Sequence, residues 1–507
     1  MFKKYLMKVF TFFLLSILSF KSYSKKNILF IAVDDLKPLI GAYGDDFAVT
    51  PNIDELASYG TIFTNSHVQQ AICAPSRVSL LTGLRPDLTE VWDLETQMRD
   101  RNPNIITLPQ HYKDNGYKTI GMGKIFDNRS VDNGLDKKSW SIPYIRVNVN
   151  HKIHGNSITG FQSPENKEIL SDIRDKAAAE GIPNQGMWQY LRSKYKPSTE
   201  SFDISDDGYF DGAMTLKAID QINKLSNSDQ PFFLAVGFQK PHLPFVAPKK
   251  YWDMYDPADI PLPQSFGQIT TPRLKQVHEL HAAGKHERKG GFAMPVNEEE
   301  ARALLALTYG MISFIDDAIG EILSQLETSG MLENTVVVLT SDHGDLGGDH
   351  GVMLKRMHHY QGLLRVPTLW AEPGAAASVR DDLISTIDFP TTILKRAGLQ
   401  PFNGAMGRDF FSDPEPDGLI IEEQAGRPQP GSANPPGLRT LVTRTHRMTL
   451  SPDNNFSELY DLAEDPNENI NLFNAPEAAT RRADLMEIMV RRMMQMQSTS
   501  PLPPFAP

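Results

Sequence analysis

The sequence of 507 residues contains a single cysteine, Cys73, so no disulfide can form within the chain. This excludes the small disulfide-stabilised scaffolds that are common among exported proteins. A lone cysteine is a buried spectator, a metal ligand or a residue retained for its reactivity. Because buried free cysteines pack as small apolar side chains, the neighbours of Cys73 must decide among these roles.

The chain also lacks an excess of basic residues, since its formal net charge is −11. Residues 1–24 carry four lysines and no acidic residue, so their removal would change this charge to −15. An acidic chain argues against nucleic acid as a partner. An anionic substrate would therefore need a locally positive pocket on an acidic protein.

Residues 1–24 are predicted to form a signal peptide. Three lysines precede an apolar run from Val9 to Phe20, which is too short to span a bilayer. Small residues precede a predicted cleavage site before Lys25; an uncleaved anchor is the alternative. No later stretch is expected to be long and apolar enough to cross a membrane. We expect an exported protein, in the periplasm first or outside the cell second, without membrane attachment after cleavage.

The segment around Cys73 reads Cys73-Ala74-Pro75-Ser76-Arg77-Val78-Ser79-Leu80-Leu81-Thr82-Gly83. Pro75 suits the first turn of a helix, so we expect the helix to begin at Cys73. The free amides and the dipole of a helix N-terminus favour an anion, and Arg77 lies about one turn further on. The pattern therefore favours a chemical role for Cys73.

The Cys-X-Pro-Ser-Arg motif and the following Leu-Thr-Gly resemble the signature of type I sulfatases, in particular iduronate-2-sulfatase and its bacterial polysaccharide-sulfatase relatives. The resemblance extends over about residues 26–490. It implies an alkaline-phosphatase-like α/β fold: a large mixed sheet between helices and a smaller C-terminal α+β subdomain with a short antiparallel sheet. It also implies that Cys73 is converted to formylglycine (3-oxoalanine), which requires a formylglycine-generating or sulfatase-maturing enzyme as a partner.

Polar side chains follow four predicted buried strands. These strands and the residues that follow them are 27–33 with Asp34 and Asp35, 335–340 with Asp342 and His343, 232–238 with His242, and 118–124, which ends at Lys124. Ligands bind beyond the carboxyl ends of strands in open α/β sheets. This pattern predicts a metal site beside an anion site. The carboxylates favour Ca²⁺ or Mg²⁺, and by residue type alone Mn²⁺ and Zn²⁺ also remain open.

The resemblance assigns roles to these residues. It implies one Ca²⁺ held by Asp34, Asp35, Asp342, His343 and the residue at position 73. It further implies that sulfate is held by Arg77, Lys124 and Lys355, and that His242 is the general acid for the leaving hydroxyl. The chain departs from the family at Asp127, where related enzymes have histidine. Asp127 either pairs with Lys124 or Arg129, or orients a neighbouring donor or hydrogen-bonds a sugar hydroxyl.

The predicted domains are the signal peptide at 1–24, a catalytic domain at 25–412 and a C-terminal subdomain at 413–507. A polar, irregular insertion at 129–210 is expected to lie over the site, and 267–297 is expected to form a long loop. Residues 301–327 have apolar residues at helical spacing. Asp316 and Asp317 within this helix are expected to face solvent.

These features predict a hydrolase that releases sulfate from a sulfated polysaccharide or its oligosaccharides. Ulvan- or carrageenan-type algal saccharides are the first substrate hypothesis, and uronate 2-sulfates of glycosaminoglycans are the second. A phosphomonoester or phosphonate monoester hydrolase on the same scaffold is the alternative activity. An inactive protein that binds sulfated glycans is the alternative of another class.

Overall fold

The structure is a computed structural model that describes residues 25–132, 136–195, 197–268, 296–355, 358–424, 437–452 and 456–496. The predicted signal peptide and most of the predicted loop at 267–297 lie outside these ranges. The strands are β1 Asn27–Asp34, β2 Thr61–His67, β3 Lys118–Gly123, β4 Asn150–His151, β5 Gly155–Asn156, β6 Thr199–Phe202, β7 Phe232–Pro241, β8 Phe245–Pro248, β9 Thr335–Ser341, β10 Arg365–Ala371, β11 Ser378–Arg380, β12 Ile384–Ser385, β13 Leu419–Glu423, β14 Leu438–Val442, β15 His446–Leu450 and β16 Glu458–Asp461. The α-helices are α1 Pro51–Ser58, α2 Cys73–Thr82, α3 Pro86–Thr89, α4 Met98–Arg101, α5 Leu108–Asp114, α6 Pro164–Ala179, α7 Asn184–Lys194, α8 Phe210–Leu225, α9 Lys249–Trp252, α10 Glu298–Thr328, α11 Gln361–Leu364, α12 Asp388–Arg396 and α13 Ala479–Gln495.

A large mixed sheet forms the centre of the molecule, with the strand order β11-β2-β10-β9-β1-β7-β3 and with β12 also paired to β2. Strands β3, β7, β1 and β9 run parallel, whereas β10 is antiparallel to both of its neighbours. The four parallel strands are the four predicted from apolar runs. This arrangement and the helices around it confirm the predicted fold.

Both faces of the sheet are buried, as strand β1 illustrates. Successive side chains of a strand point to opposite faces. Phe30 packs in a cluster with residues of α2, α5 and α12, whereas Ile31 packs with residues of α1, α8 and α10. Because neither face meets water, the parallel strands are apolar along their length and become polar only where they end.

Helix α10 is the longest helix described. It begins with a capping box between Asn297 and Glu300, which satisfies free amides of its first turn. By length and composition it could cross a membrane, so the prediction that no later stretch is long and apolar enough is wrong. However, 78% of its most apolar window is buried within the protein, so the helix serves as part of the core.

Asp316 does not face solvent as the sequence predicted. Its side chain is 1% exposed. Its carboxylate accepts hydrogen bonds from the Ile53 amide at 2.8 Å and from the Asn52 side chain at 2.7 Å. Asp316 therefore caps the N-terminus of α1 from a neighbouring helix, where a negative charge is favourable. Asp317 accepts a hydrogen bond from the Tyr251 hydroxyl at 2.8 Å.

The insertion is more regular than predicted. It contains α6, α7 and β6, and β6 pairs with β8. Phe161, Leu170 and Tyr209 are buried in a cluster that also includes Phe314 of α10. The insertion is therefore packed against the main body by its own apolar side chains, which its high content of charged residues concealed in the sequence.

A second sheet, with the order β13-β14-β15-β16, is antiparallel throughout. Leu441 and Met448 of this sheet pack against Leu485 and Met489 of α13. This confirms the predicted small C-terminal sheet and helix. The boundary between residues 412 and 413 stays a prediction.

Candidate active site

The polar strand ends meet at one edge of the central sheet. Strand β1 lies between β7 and β9, with Val33 beside Ser341 and Asp34 beside Pro241. The segments that follow these strands carry Asp35, the Asp342-His343 pair and His242. Parallel pairing therefore brings together side chains that are up to about 300 residues apart in the sequence.

Helix α2 begins at Cys73, as predicted, and all of its residues are buried. The hydroxyl of Ser76 donates a hydrogen bond of 2.5 Å to the backbone carbonyl of Asp342. This contact fastens the first turn of α2 to the end of β9. The Cys73 side chain is consequently held at the same sheet edge as the carboxylates.

Asp34, Asp35, Cys73 and His343 form a buried group whose potential ligand atoms all lie within 4.8 Å of one another. The Nδ1 atom of His343 lies 2.9 Å from the Gly344 carbonyl and 3.3 Å from Asp35 Oδ1. Because the Gly344 carbonyl can only accept a hydrogen bond, Nδ1 carries the proton of a neutral ring. The unprotonated Nε2 then faces Cys73 Sγ at 3.3 Å and is available as a ligand.

Three cations surround this acidic group. Lys124 Nζ lies 2.5 Å from Asp34 Oδ2, and Lys355 Nζ lies 2.5 Å from Asp35 Oδ1. The buried Arg77 guanidinium lies 3.4 Å from Asp34 Oδ1. The arrangement therefore combines carboxylates that can hold a cation with ammonium groups that can hold an anion.

Burial and the neighbouring charges shift the pKa values of Asp34 and Asp35 in opposite directions. Burial disfavours a charged Asp34, but Lys124, His242 and Arg77 outweigh burial and hold its pKa well below the usual value. Burial raises the pKa of Asp35 well above its usual value, against the effect of Lys355.

Cys73 is not activated as a thiolate by the start of its helix. Burial raises the pKa of its thiol well above the ordinary value, and the nearby Asp34 carboxylate adds to this effect. The favourable N-terminal position expected from the sequence is therefore outweighed. Both effects favour the protonated form of the thiol.

Asp342 and Arg77 form a buried pair next to the cluster. Arg77 Nε donates to Asp342 Oδ2 at 2.8 Å, and its Nη1 donates to the backbone carbonyls of Lys124 and Ile125. Among the three guanidinium nitrogens of Arg77, Nη2 is the one with no hydrogen-bond partner among the described residues. These contacts give Arg77 a positioning role between strand ends, and its predicted contact with sulfate stays a prediction that depends on Nη2.

His242 is held by a short loop after β7. Its Nδ1 lies 2.6 Å from the Leu243 carbonyl, which can only accept, so Nε2 is the nitrogen that gains or loses a proton. Lys240 Nζ donates to the carbonyls of His242 and Pro244 at 2.6 and 2.7 Å. Asp211 accepts from the backbone amide of Lys240 at 2.9 Å. The sequence places Lys240 two residues before His242 but gives no sign that the Lys240 side chain holds this loop.

A cavity of about 560 Å³ opens beside these groups. Its lining includes Asp34, Lys124, Asp127 and His242, together with residues of the insertion such as Arg146. The insertion therefore contributes to the wall of the cavity, as predicted. Arg146 of the insertion also lies in this wall.

Asp127 is fixed by its neighbour Arg129. Arg129 Nε and Nη2 donate to the two carboxylate oxygens of Asp127 at 2.8 and 2.7 Å. The Lys124 ammonium is 3.7 Å from the same carboxylate. Of the two alternatives, this geometry corresponds to pairing with Arg129 and Lys124. These cations hold the pKa of Asp127 down at about 2 despite burial.

Comparison with known proteins identifies similar sequences and folds. A protein-family model described as Sulfatase matches residues 26–399. Iduronate 2-sulfatase of Mus musculus is 33% identical over 69% of this chain, and the match spans 60% of that protein's length. A sulfatase of Formosa agariphila is 28% identical, covering 90% of this chain and 84% of the other. The crystal structure of a phosphonate monoester hydrolase of Agrobacterium radiobacter superposes with a TM-score of 0.71 at 23% identity, covering 94% of this chain and 97% of the other.

Proposed function

Because the chain belongs to the sulfatase family, we propose that it hydrolyses sulfate esters of a polysaccharide or of its oligosaccharides. The observation that carries this proposal is the buried group of Asp34, Asp35, Cys73 and His343. Lys124 and Lys355 flank this group, which combines a cation site with an anion site. A sulfate monoester requires both, since its negative charge repels a nucleophile until it is neutralised.

The donor set fits a divalent cation. Asp34 Oδ1 is buried and accepts no hydrogen bond from the described residues, with only the Arg77 guanidinium 3.4 Å away, so it can serve as a metal ligand. Oxygen ligands from two or three aspartates favour Ca²⁺, with His343 as an additional ligand. When bound, such an ion lowers the pKa of a hydroxyl that it coordinates.

We further propose that Cys73 is converted to formylglycine by a maturing enzyme. The hydrated aldehyde supplies the hydroxyl nucleophile that the protonated thiol of Cys73 cannot provide. The neighbouring protein groups define the rest of the reaction. Lys124 and Lys355 bind sulfate oxygens and stabilise the charge that develops on them. Arg77 keeps Asp342 and the Lys124 backbone in position.

His242 is the proposed general acid. Its Nε2 is the titrating nitrogen, and the residue lines the cavity in which the saccharide would lie. Burial and then Lys355 hold the pKa of His242 well below its usual value in the substrate-free protein. A bound sulfate would offset the charge of Lys355, so substrate binding favours the protonated ring that the leaving hydroxyl needs.

The cell location and the substrate belong to the same proposal. A signal peptide at 1–24 would export the protein to the periplasm, or outside the cell, where sulfated polysaccharides are degraded. Ulvan- or carrageenan-type oligosaccharides are the first candidates, and glycosaminoglycan uronate 2-sulfates are the second. Similarity to iduronate 2-sulfatase, whose name specifies a uronate 2-sulfate, supports the second candidate.

Parallel kinetics on an aryl sulfate and the matching aryl phosphate test the activity. The matured protein should have a higher kcat/KM for the sulfate. Equal or greater activity on the phosphate or on a phosphonate monoester would instead favour the alternative hydrolase, whose fold neighbour is the phosphonate monoester hydrolase. Binding of sulfated glycans without release of sulfate would indicate an inactive binding protein.

A further inference from the structure

The cavity presents more cationic groups than the proposed sulfate site uses. Arg129 and Arg146 both line the cavity, along with Lys124. Neither arginine belongs to the predicted sulfate ligands. Lys240 also lines the cavity, but its ammonium donates to two backbone carbonyls and so is engaged in holding the loop. The two guanidinium groups are therefore left to contact the rest of a substrate.

Arg129 is held in a defined position close to Lys124. The Asp127 carboxylate lies between them, bound to Nε and Nη2 of Arg129 and 3.7 Å from the Lys124 ammonium. This pairing engages one edge of the guanidinium and leaves Nη1 outside it. The Arg129 side chain is 48% exposed. Arg129 thus neutralises Asp127 and offers further donors. The Asp127 carboxylate separates these donors from Lys124, the proposed sulfate-binding lysine.

Arg146 is positioned by the residues that precede it. The backbone amide of Ile145 donates to the Gly121 carbonyl of β3 at 3.0 Å, and the Tyr144 hydroxyl donates to the Gly123 carbonyl at 2.8 Å. The segment therefore follows the strand that leads into Lys124. Among the residues that the structure describes, the exposed Arg146 side chain has no acidic partner. A guanidinium without a carboxylate in a cavity wall can bind an anionic ligand bidentately.

We propose that Arg129 and Arg146 form a second anion subsite, which selects saccharides that carry a further carboxylate or sulfate close to the sulfate that is removed. This inference rests on the proposed sulfatase activity. A hydroxyl-rich neutral sugar would leave Arg146 without a charged partner and would leave the free edge of Arg129, which Asp127 does not engage, without an anion, whereas a second anion would engage both. The subsite would make this enzyme specific for doubly charged saccharide units.

The test compares three substrates: a neutral monosulfated sugar, the same type of sugar with an adjacent carboxylate, and one with a second sulfate. The variants are Arg146→Gln and the double variant Asp127→Asn/Arg129→Gln, which removes both charges of the pair. Arg491→Gln on the exposed face of α13 is the control. Affinity of the same sugars for the Cys73→Ala protein is measured calorimetrically, so that binding is followed without turnover.

We expect the wild type to prefer one doubly charged sugar, and each subsite variant to lower kcat/KM for it by about tenfold or more. In Arg146→Gln, activity on the neutral monosulfated sugar should change by less than about twofold, since no charged hydrogen bond is lost there. Whether the carboxylate or the second sulfate shows the effect identifies the anion. The control variant should match the wild type on all three sugars.

Sulfate release with equal losses on all three sugars, or with no preference for a second charge, would overturn the subsite while leaving the sulfatase proposal standing. Retained preference in the double variant would show that Arg129 only neutralises Asp127. No sulfate release from any sugar by matured, metal-loaded protein would instead overturn the proposed function. In that case, selective binding of doubly charged sugars to Cys73→Ala would still support the subsite if the same binding is lost when Arg146→Gln is added to Cys73→Ala.

Discussion

At the scale of single residues, the site consists of groups that are each held by two or more contacts. His343 faces a carbonyl, a carboxylate and the Cys73 sulfur, and Arg77 links Asp342 to the end of β3. His242 is fixed through its Nδ1 and through Lys240. Because the side chains are positioned before substrate arrives, little ordering remains to be done in the reaction.

The role of His242 predicts a dependence on the leaving group. His242→Ala should lower kcat for a sugar sulfate by more than about tenfold, corresponding to more than about 1.4 kcal/mol of barrier. An aryl sulfate with a good leaving group should be affected much less, because its departing oxygen needs no proton. Steady-state kinetics on the two substrates measure this.

The pH profile gives a second check on the same residue. Since the protonated ring is the active acid, wild-type kcat on the sugar sulfate should fall as pH rises above the pKa of His242 in the complex. This decrease of kcat at high pH should be absent in His242→Ala. Equal losses on both substrates, with an unchanged pH profile, would show that another group protonates the leaving oxygen.

The sequence predicted several of the groups that the structure brings together at the sheet edge, because the signature around Cys73 and the strand-end acids are local patterns. It could not show which partner Asp127 takes, since Lys124 and Arg129 are both close in the chain and both positive. It also missed Lys240 and Arg146, whose roles depend on contacts with backbone atoms and on the shape of the cavity. The site roles that the family resemblance implied stay predictions.

At the scale of elements, close approach of β3 and β7 positions Lys124. The Lys124 amide donates to the Gly237 carbonyl at 2.7 Å. A Cβ atom at Gly237 would lie 2.2 Å from the Lys124 carbonyl carbon, and one at Gly123 would lie 2.1 Å from the Gly237 oxygen. Both obstacles are backbone atoms, so glycine is required at both positions.

Gly237→Ala should therefore displace Lys124 from Asp34. We expect a loss of about 1–3 kcal/mol in the free energy of unfolding from overpacking. We also expect a drop in kcat/KM of up to about a hundredfold from misplacement of the sulfate-binding group. Thermal denaturation and kinetics test this.

Gly186→Ala in α7 is the matched control, since its Cβ would have its nearest neighbour at 3.8 Å. This control should retain wild-type stability and activity. Wild-type kcat/KM in Gly237→Ala would mean that the position of Lys124 is not set by the contact between the two strands.

Element boundaries were predicted well where buried strands carry continuous apolar runs. Prediction was weaker where tertiary contacts determine the outcome. Helical periodicity assigns Asp316 to a solvated face, because it takes no account of the neighbouring helix α1 that Asp316 caps. The helices of the insertion were missed because their apolar residues are few and widely spaced.

At the scale of the whole molecule, the second sheet is attached to the catalytic part by buried polar contacts. His359 Nε2 lies 2.9 Å from Glu423 of β13, and the Gln361 amide donates to Glu468 at 2.7 Å. These contacts adjoin the segment that follows Lys355. Glu423 of the second sheet and Glu468 beyond β16 therefore hold the chain at His359 and Gln361, a few residues after Lys355.

Binding of a metal should stabilise the folded protein as a whole. A ligand that binds only the folded state at about 100 times its Kd adds about 2.7 kcal/mol. We expect Ca²⁺ to raise Tm after chelation, and to do so more than Zn²⁺. Differential scanning calorimetry measures the shift.

The Asp35→Asn variant should lose most of the rise in Tm that Ca²⁺ produces. The Asp220→Asn variant, changed at an exposed position on α8, should keep it. The same shift in Asp35→Asn as in the wild type would place the ion elsewhere. Full activity of the wild type after chelation to below stoichiometric metal would contradict a metal role in the reaction.

Release of inorganic sulfate from a sulfated oligosaccharide, measured by ion chromatography, tests the central claim most directly. The protein is produced together with a formylglycine-generating enzyme, and conversion of Cys73 is quantified by peptide mass. We predict that sulfate release rises in proportion to the converted fraction and is lost in a folded Cys73→Ala variant. Undiminished sulfate release by Cys73→Ala, or by protein in which Cys73 is wholly unmodified, would contradict the account.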